Sequence, residues 1–549
     1  MRLPRILSSA LAALSLPLAS AQQSTFRNPV LWEDYPDLDV FRIGLVYYYS
    51  SSTFAYSPGA PLLKSYDLVN WEPVTHSVPT LNFGAKYNLT SNQRAYVKGI
   101  WASTLRYWGK RDVFIWLGCV EGRTYIWTAS GTKAGENGGE VDPAAWNWLP
   151  KGSLASCYYD SGLLIDDEET GRMYVAYGNP RISIAEIRME GDGTFREVSA
   201  GRVVYDPGQG NTVEGARLYK KGPGEYVIFV TRPADQEIVL RSTGGIYGPY
   251  TAKMLVNRIQ GPLTNAGYAH QGGMVDTPEG RWYYVAFLDA YPGGRIPVVA
   301  PMTWGGDGFP RVEVDGAGRW AVEYGMPVNT TRRVSVNGGT DEFRGGRLSE
   351  HWEWNHNPEK GKWKLESGGG LVLQTVDVTG DLFAARNTLT RRIVGPKSSG
   401  TFRMDVSGMK DGDRAGAVLF RDRSAYIGVH KEGTAAKVVV VTGMTLTQSS
   451  WETSGRGSVV ATGPTLGDAT DVWFRIEADV TPAFGTSTER TVLFSYSVDG
   501  GKTFARLGPA VPLANSWQYF TGYRFGVFNH ATKALGGEIK VKSFTLAKI

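Results

Sequence analysis

The chain has 549 residues, with 68 Gly, 17 Trp, 28 Tyr and 21 Phe, and the formal charge is only +5. So small an excess gives no case for a nucleic-acid partner, and two Cys exclude a disulfide scaffold, leaving stability to a core that a chain of this length can supply. High Gly and aromatic content with few helical periods fits an all-β protein.

Residues 1–21 read as a secretory signal peptide, with Arg2 and Arg5, an apolar stretch from Ile6 to Leu18 and Ala19-Ser20-Ala21 before Gln22. A secreted, extracellular protein is therefore expected. No other run is long and apolar enough for a membrane span. Asn88-Leu89-Thr90 and Asn329-Thr330-Thr331 are sequons for N-glycosylation in a eukaryotic host.

Five aromatic, hydrophobic runs follow: Val46–Tyr49, Val113–Trp116, Met173–Tyr177, Tyr226–Phe229 and Trp282–Phe287. Their starts lie 53 to 67 residues apart, and each is entered through a short turn, mostly rich in Gly or Pro, such as Gly109–Asp112 or Pro278–Arg281. A repeat of that length without helical patterning predicts propeller blades of four strands, five in number, over residues 22–328. In a propeller the innermost strands line a central channel, so one register of each repeat converges there. Nine to thirteen residues before the runs stand Asp37, Trp101, Asp160, Glu214 and His270. Asp37, Asp160 and Glu214 each lie among aromatic, apolar or small residues, unlike the cluster Asp166–Glu169, which reads as a solvated turn. Cys119 and Cys157 fall in neighbouring blades, where one bridge and two buried thiols are both open readings.

The motifs Asn28-Pro29 with Tyr35-Pro36-Asp37, Gly99–Ser103, Tyr159-Asp160-Ser161, Glu214-Gly215-Ala216, His270-Gln271-Gly272, and Gly294–Pro297 leading to Pro301–Trp304 occur in an order that resembles glycoside hydrolase family 43. The resemblance implies a five-bladed propeller with Asp37 as base, Glu214 as acid and Asp160 as the carboxylate that orients Glu214 and raises its pKa. Asp37 is followed by Leu38 and Asp39 where the family often has Pro, so Asp39 is a rival; alternation along a strand would point both the same way. Inversion is implied, with roughly 6.5–9.5 Å between acid and base to admit water. Phe54 and Trp101 are the candidate stacking surfaces for sugar, and Arg295 a candidate hydrogen-bond donor. No cofactor is expected for catalysis. At the position of His270 the family carries a cation, usually calcium, on the propeller axis, with water completing an oxygen-rich shell.

After a segment at 329–340, residues 341–549 show alternating strands without the blade period, including Leu371–Leu373, Ala417–Phe420, Lys437–Val441 and Val492–Tyr496. A two-sheet sandwich is expected. Trp352–Pro358 resembles the start of the lectin-like sandwich that follows the propeller in many family members. Its role is read as support for the propeller with one edge loop shaping the cleft, carbohydrate binding being the alternative. Residues 28–39 and the two-domain layout resemble fungal α-L-arabinofuranosidases that debranch arabinoxylan, including doubly substituted xylose. A β-xylosidase, or a non-catalytic carbohydrate-binding propeller, are the rival readings. A monomer is expected.

Overall fold

The computed structural model describes residues 24–142, 145–335, 337–467 and 470–549; the signal-peptide reading at 1–21 lies outside them. Five four-stranded antiparallel units make up the N-terminal half, the third with one extra strand. Their innermost strands are Asp39–Ile43, Thr104–Trp108, Gly162–Asp167, Glu214–Gly222 and His270–Asp276, which neighbour one another around a closed ring. The five aromatic runs form the second strand of each blade, and their side chains fill the spaces between blades. Thr25–Arg27 pairs with Glu323–Gly325, so the two ends of the propeller chain are joined.

The C-terminal half is a sandwich of a nine-stranded and an eight-stranded sheet, whose inner faces share one core around Trp352, Phe402, Phe474, Phe525 and Phe544. The last strand of the eight-stranded sheet is Tyr56–Ser57, from the propeller, paired with Trp354–Asn355. The two halves thus share a sheet. Around this seam Glu353, fully buried, receives Arg392 at 2.8 Å, Arg524 at 2.6 Å and His76 of the first blade at 3.0 Å. Asn357 bonds to Ser57, Leu81 and Asn88. Either side of residue 334 the segment at 329–340 is tied to the propeller: Arg332 pairs with Glu140, and the Ser335 N–H donates to Glu72 at 2.8 Å.

Cys119 and Cys157 form a disulfide with their Cα atoms 5.1 Å apart. It ties the second strand of the second blade to the loop that carries Asp160. Closing a loop of 38 residues is worth about 4 kcal/mol in the chain-entropy account.

Candidate active site

Asp37 and Asp160 both sit two residues ahead of an inner strand, and both have left-handed backbone, with φ of 57° and 49°. Such conformations cost non-glycine residues about 1–3 kcal/mol and persist only where surroundings over-determine them. Here the surroundings do so. Ser51 Oγ donates to the Pro36 carbonyl at 2.7 Å, and Tyr49 OH to that of Tyr35 at 2.6 Å. The Arg217 guanidinium, 1% exposed, donates to the carbonyls of Asp37 (3.0 Å), Leu38 (2.9 Å), Ser161 (2.7 Å) and Ala216 (3.1 Å). One side chain therefore clamps the loops of both aspartates to the strand that begins at Glu214. Gly162 lets that strand come close, since a Cβ there would stand 2.6 Å from the Ala216 carbonyl. The Ala216 N–H in turn donates to the Asp160 carbonyl at 3.0 Å.

The result is one pocket of about 130 Å³ lined by Asp37, Asp160, Glu214, Arg295, Phe54 and Trp101, with Tyr159, Gln271, Ala102 and Phe520. All six residues singled out as catalytic or sugar-binding candidates meet there. Asp37, 5% exposed, accepts from Arg295 Nη1 at 2.9 Å, and Arg295 Nε also faces Asp289 at 3.4 Å. Burial works against the Arg295 charge, but Asp37, Asp289 and Asp34 outweigh it and raise its pKa.

Glu214 stands nearer the mouth, its Oε2 accepting from Asn179 Nδ2 at 2.6 Å. Burial first, then the charge of Asp37, push its pKa up against the Asn179 bond. Asp160 is pushed well above the carboxylate range by burial and by the charges of Glu214 and Asp37. Three acids this close cannot all ionise in a dry site, so Asp160 and Glu214 retain a proton between them and titrate as a pair. The pocket thus holds one carboxylate fixed beside a cation and a coupled pair of acids that keeps a proton available toward its entrance, the two requirements of glycosidic cleavage.

The rival Asp39 points elsewhere. Because Asp37 has left-handed backbone, strand alternation does not carry across to it; Asp39 is fully buried, accepting from Thr104, Leu105 and Arg106 of the second blade at 2.7, 3.0 and 2.7 Å. It fastens blades together. His270 lies beneath the pocket, 2% exposed, with Nδ1 donating to the Tyr268 carbonyl at 2.9 Å. That bond leaves the lone pair on Nε2, 4.0 Å from Asp289, and burial holds the ring neutral. Among the described residues no group of three or more His, Cys, Asp or Glu could hold a metal. A cation there would rest on His270 with water as the rest of its shell.

Three contributors escaped the sequence. Phe520 comes from a sandwich loop, and its ring stacks on Phe54 with centroids 5.7 Å apart and planes 4° off parallel. Phe54 itself sits at φ 55° just before the strand shared between the halves. Tyr159 and Arg217 lay inside or beside quoted motifs, but an Arg in an alternating strand ordinarily reads as solvent-facing, and nothing local marks it as a clamp.

Residues 26–310 match the family described as glycosyl hydrolases family 43, and residues 340–547 the beta xylosidase C-terminal concanavalin A-like domain. A solved family 43 hydrolase, engineered at its active site to display both endo-xylanase and exo-arabinofuranosidase activity, is 62% identical over 96% of this chain and 100% of its own, with a TM-score of 0.93. A beta-xylosidase of Formosa agariphila is 29% identical over 95% of this chain and 90% of its own. A non-reducing end alpha-L-arabinofuranosidase of Bacteroides ovatus is 26% identical over 91% and 93%.

Proposed function

The chain belongs to glycosyl hydrolase family 43, and on that premise we propose that it is an exo-acting, inverting α-L-arabinofuranosidase that removes side chains from arabinoxylan, including the O-3-linked arabinose of doubly substituted xylose. The observation that carries the exo reading is the pocket: about 130 Å³ is the space of roughly four waters, enough for one small sugar ring and too little for a run of them. Arabinose as that ring is supported by the relative of 62% identity, whose engineered form is described as an exo-arabinofuranosidase and endo-xylanase.

In the reaction Glu214 gives its proton to the glycosidic oxygen while Asp37 takes a proton from the water that attacks the anomeric carbon. Arg295 orients Asp37 through its hydrogen bond at 2.9 Å, and Asp160, coupled to Glu214, shares with it the proton that the leaving group takes. Phe54, Phe520 and Trp101 offer apolar faces to the sugar ring. Calcium at His270 is kept as a structural proposal, supported by its free Nε2 lone pair and backbone-anchored Nδ1. Secretion is supported by the disulfide, which persists in oxidising compartments. Asn88 and Asn329 are both exposed, as glycosylation requires.

Chromatography of the sugar released from wheat arabinoxylan tests the proposal. Arabinose is expected, and Glu214→Ala abolishes its release; xylose from xylo-oligosaccharides instead would establish the β-xylosidase reading, which the Formosa relative favours. Proton NMR should find the first-formed anomer inverted.

A further inference from the structure

The outer face of the eight-stranded sheet is covered in part by the propeller, where Val418, Phe420, Tyr426 and Phe528 pack with Tyr56 and Tyr96. Elsewhere on that face a second pocket opens. Arg414 stands in register opposite His430 on one neighbouring strand and His530 on the other, so the three side chains form a row on one side of the sheet. They line a cavity of about 160 Å³ whose remaining polar walls are Tyr426, its hydroxyl 2.8 Å from His430 Nε2, and Arg456, Ser458 and Thr532, and whose apolar wall includes Leu382, Val441 and Met444. No carboxylate lines it.

Two features single this pocket out. His530 is 4% exposed, yet its Nδ1 is enclosed without any hydrogen-bond partner. An orphaned N–H in that position would cost more than an orphaned lone pair, so the ring proton sits on Nε2 as a donor. Burial, Arg414 and His430 push the ring's pKa down to about 3, which keeps it neutral. The second feature is charge. The Arg414 guanidinium is braced by the carbonyls of Asp413 at 3.1 Å and Lys431 at 3.3 Å, and at the rim it pairs with Glu432. Lys533 shares Glu432 at 3.2 Å and pairs with Asp411 at 2.8 Å, while Arg456 makes no ion pair among the described residues. Three cations therefore face two rim carboxylates; of the polar side chains lining the cavity, Arg414, Arg456 and Ser458 can donate, while the Thr532 hydroxyl, which gives its proton to the Gly412 carbonyl at 2.7 Å, can accept.

We propose that this pocket binds one sugar residue bearing a carboxylate, a uronic acid. The guanidiniums suit the carboxylate, Ser458 and Thr532 the ring hydroxyls, and the apolar wall the C–H face of the ring. The volume, about five waters, admits one ring. It does not overlap the catalytic pocket, with which it shares no residue.

Calorimetric titration of the full chain with D-glucuronate, D-glucose, acetate and inorganic phosphate tests this. Glucuronate is expected to bind at least tenfold more tightly than the other three. Arg456→Ala, an exposed change on an edge strand, should weaken glucuronate binding about tenfold, the effect of losing one charge-assisted hydrogen bond, while hydrolytic activity stays unchanged. His530→Gln should weaken it similarly. Equal binding of acetate or phosphate would overturn the sugar-acid assignment. Absence of glucuronate binding, or binding that Arg456→Ala leaves intact, would overturn the pocket.

Discussion

At the residue scale the site is an arrangement of three acids with different tasks set by different neighbours. Asp37 has Arg295 at 2.9 Å; Glu214 has burial and a nearby negative charge. With Glu214 as the proposed acid, activity falls as pH rises through the raised pKa of the Asp160–Glu214 pair. The two acids titrate as a pair: Asp160→Asn removes the partner with which Glu214 shares its proton, so the alkaline limb of the kcat profile should move to lower pH and kcat fall about 100-fold. A limb that stays put would separate Asp160 from the acid. Arg217 acts at one remove, through the backbone carbonyls of Asp37 and Ser161. Arg217→Met should lower kcat about 100-fold with a smaller change in KM, since displaced acids hurt the reaction more than sugar binding; a fall in melting temperature with kcat intact would make the clamp purely structural.

At the element scale, what the sequence displayed was the second strand of each blade, because an inward aromatic run flanked by turns is a strong local signal. The inner strands, which carry the chemistry, are less aromatic and were placed by counting back. That count wandered because the hairpins differ in length: Gly44-Leu45 joins the first pair of strands, Thr277–Arg281 the last. Measured from the inner strands themselves, Asp37 and Asp160 share one position, and Glu214 and His270 another. Left-handed backbone at Asp37, Asp160 and Phe54 has no sequence signature comparable to glycine's, so strand alternation alone does not distinguish Asp37 from Asp39.

The seam between the halves was also hidden, since a two-residue strand leaves no periodicity. It carries a pH dependence. Burial lowers the pKa of His76, but hydrogen bonds to Glu350 at 3.2 Å and Glu353 at 3.0 Å outweigh this and raise it above the usual imidazole value. A raised histidine pKa means that the contribution is complete below the unfolded value near 6.5 and is lost as pH climbs through the folded value. His76→Gln should therefore lower stability at acidic and neutral pH by about 1–3 kcal/mol and flatten the decline toward alkaline pH, as followed by differential scanning calorimetry. An unchanged pH profile would remove His76 from the seam's energetics.

At the scale of the whole molecule the sandwich is part of the catalytic apparatus. Tyr56–Ser57 joins its sheet, two residues from Phe54, and Phe520 returns from it to close the pocket over the acids. Phe520 is a sandwich-loop residue that lines the cleft, although no pattern in residues 341–549 pointed to it. A propeller alone would supply the three acids but not the wall opposite Phe54.

The central claim is that acids from three blades divide the work, Asp37 as base and Glu214 as acid. The most direct measurement compares Glu214→Gln and Asp37→Asn on arabinoxylan and on an aryl α-L-arabinofuranoside whose leaving group needs no proton. Glu214→Gln should lose about 10²–10⁴-fold on arabinoxylan yet keep most of its rate on the aryl substrate, whereas Asp37→Asn should be inactive on both. Equal losses for Glu214→Gln on the two substrates, or an aryl rate that survives in Asp37→Asn, would contradict the assignment.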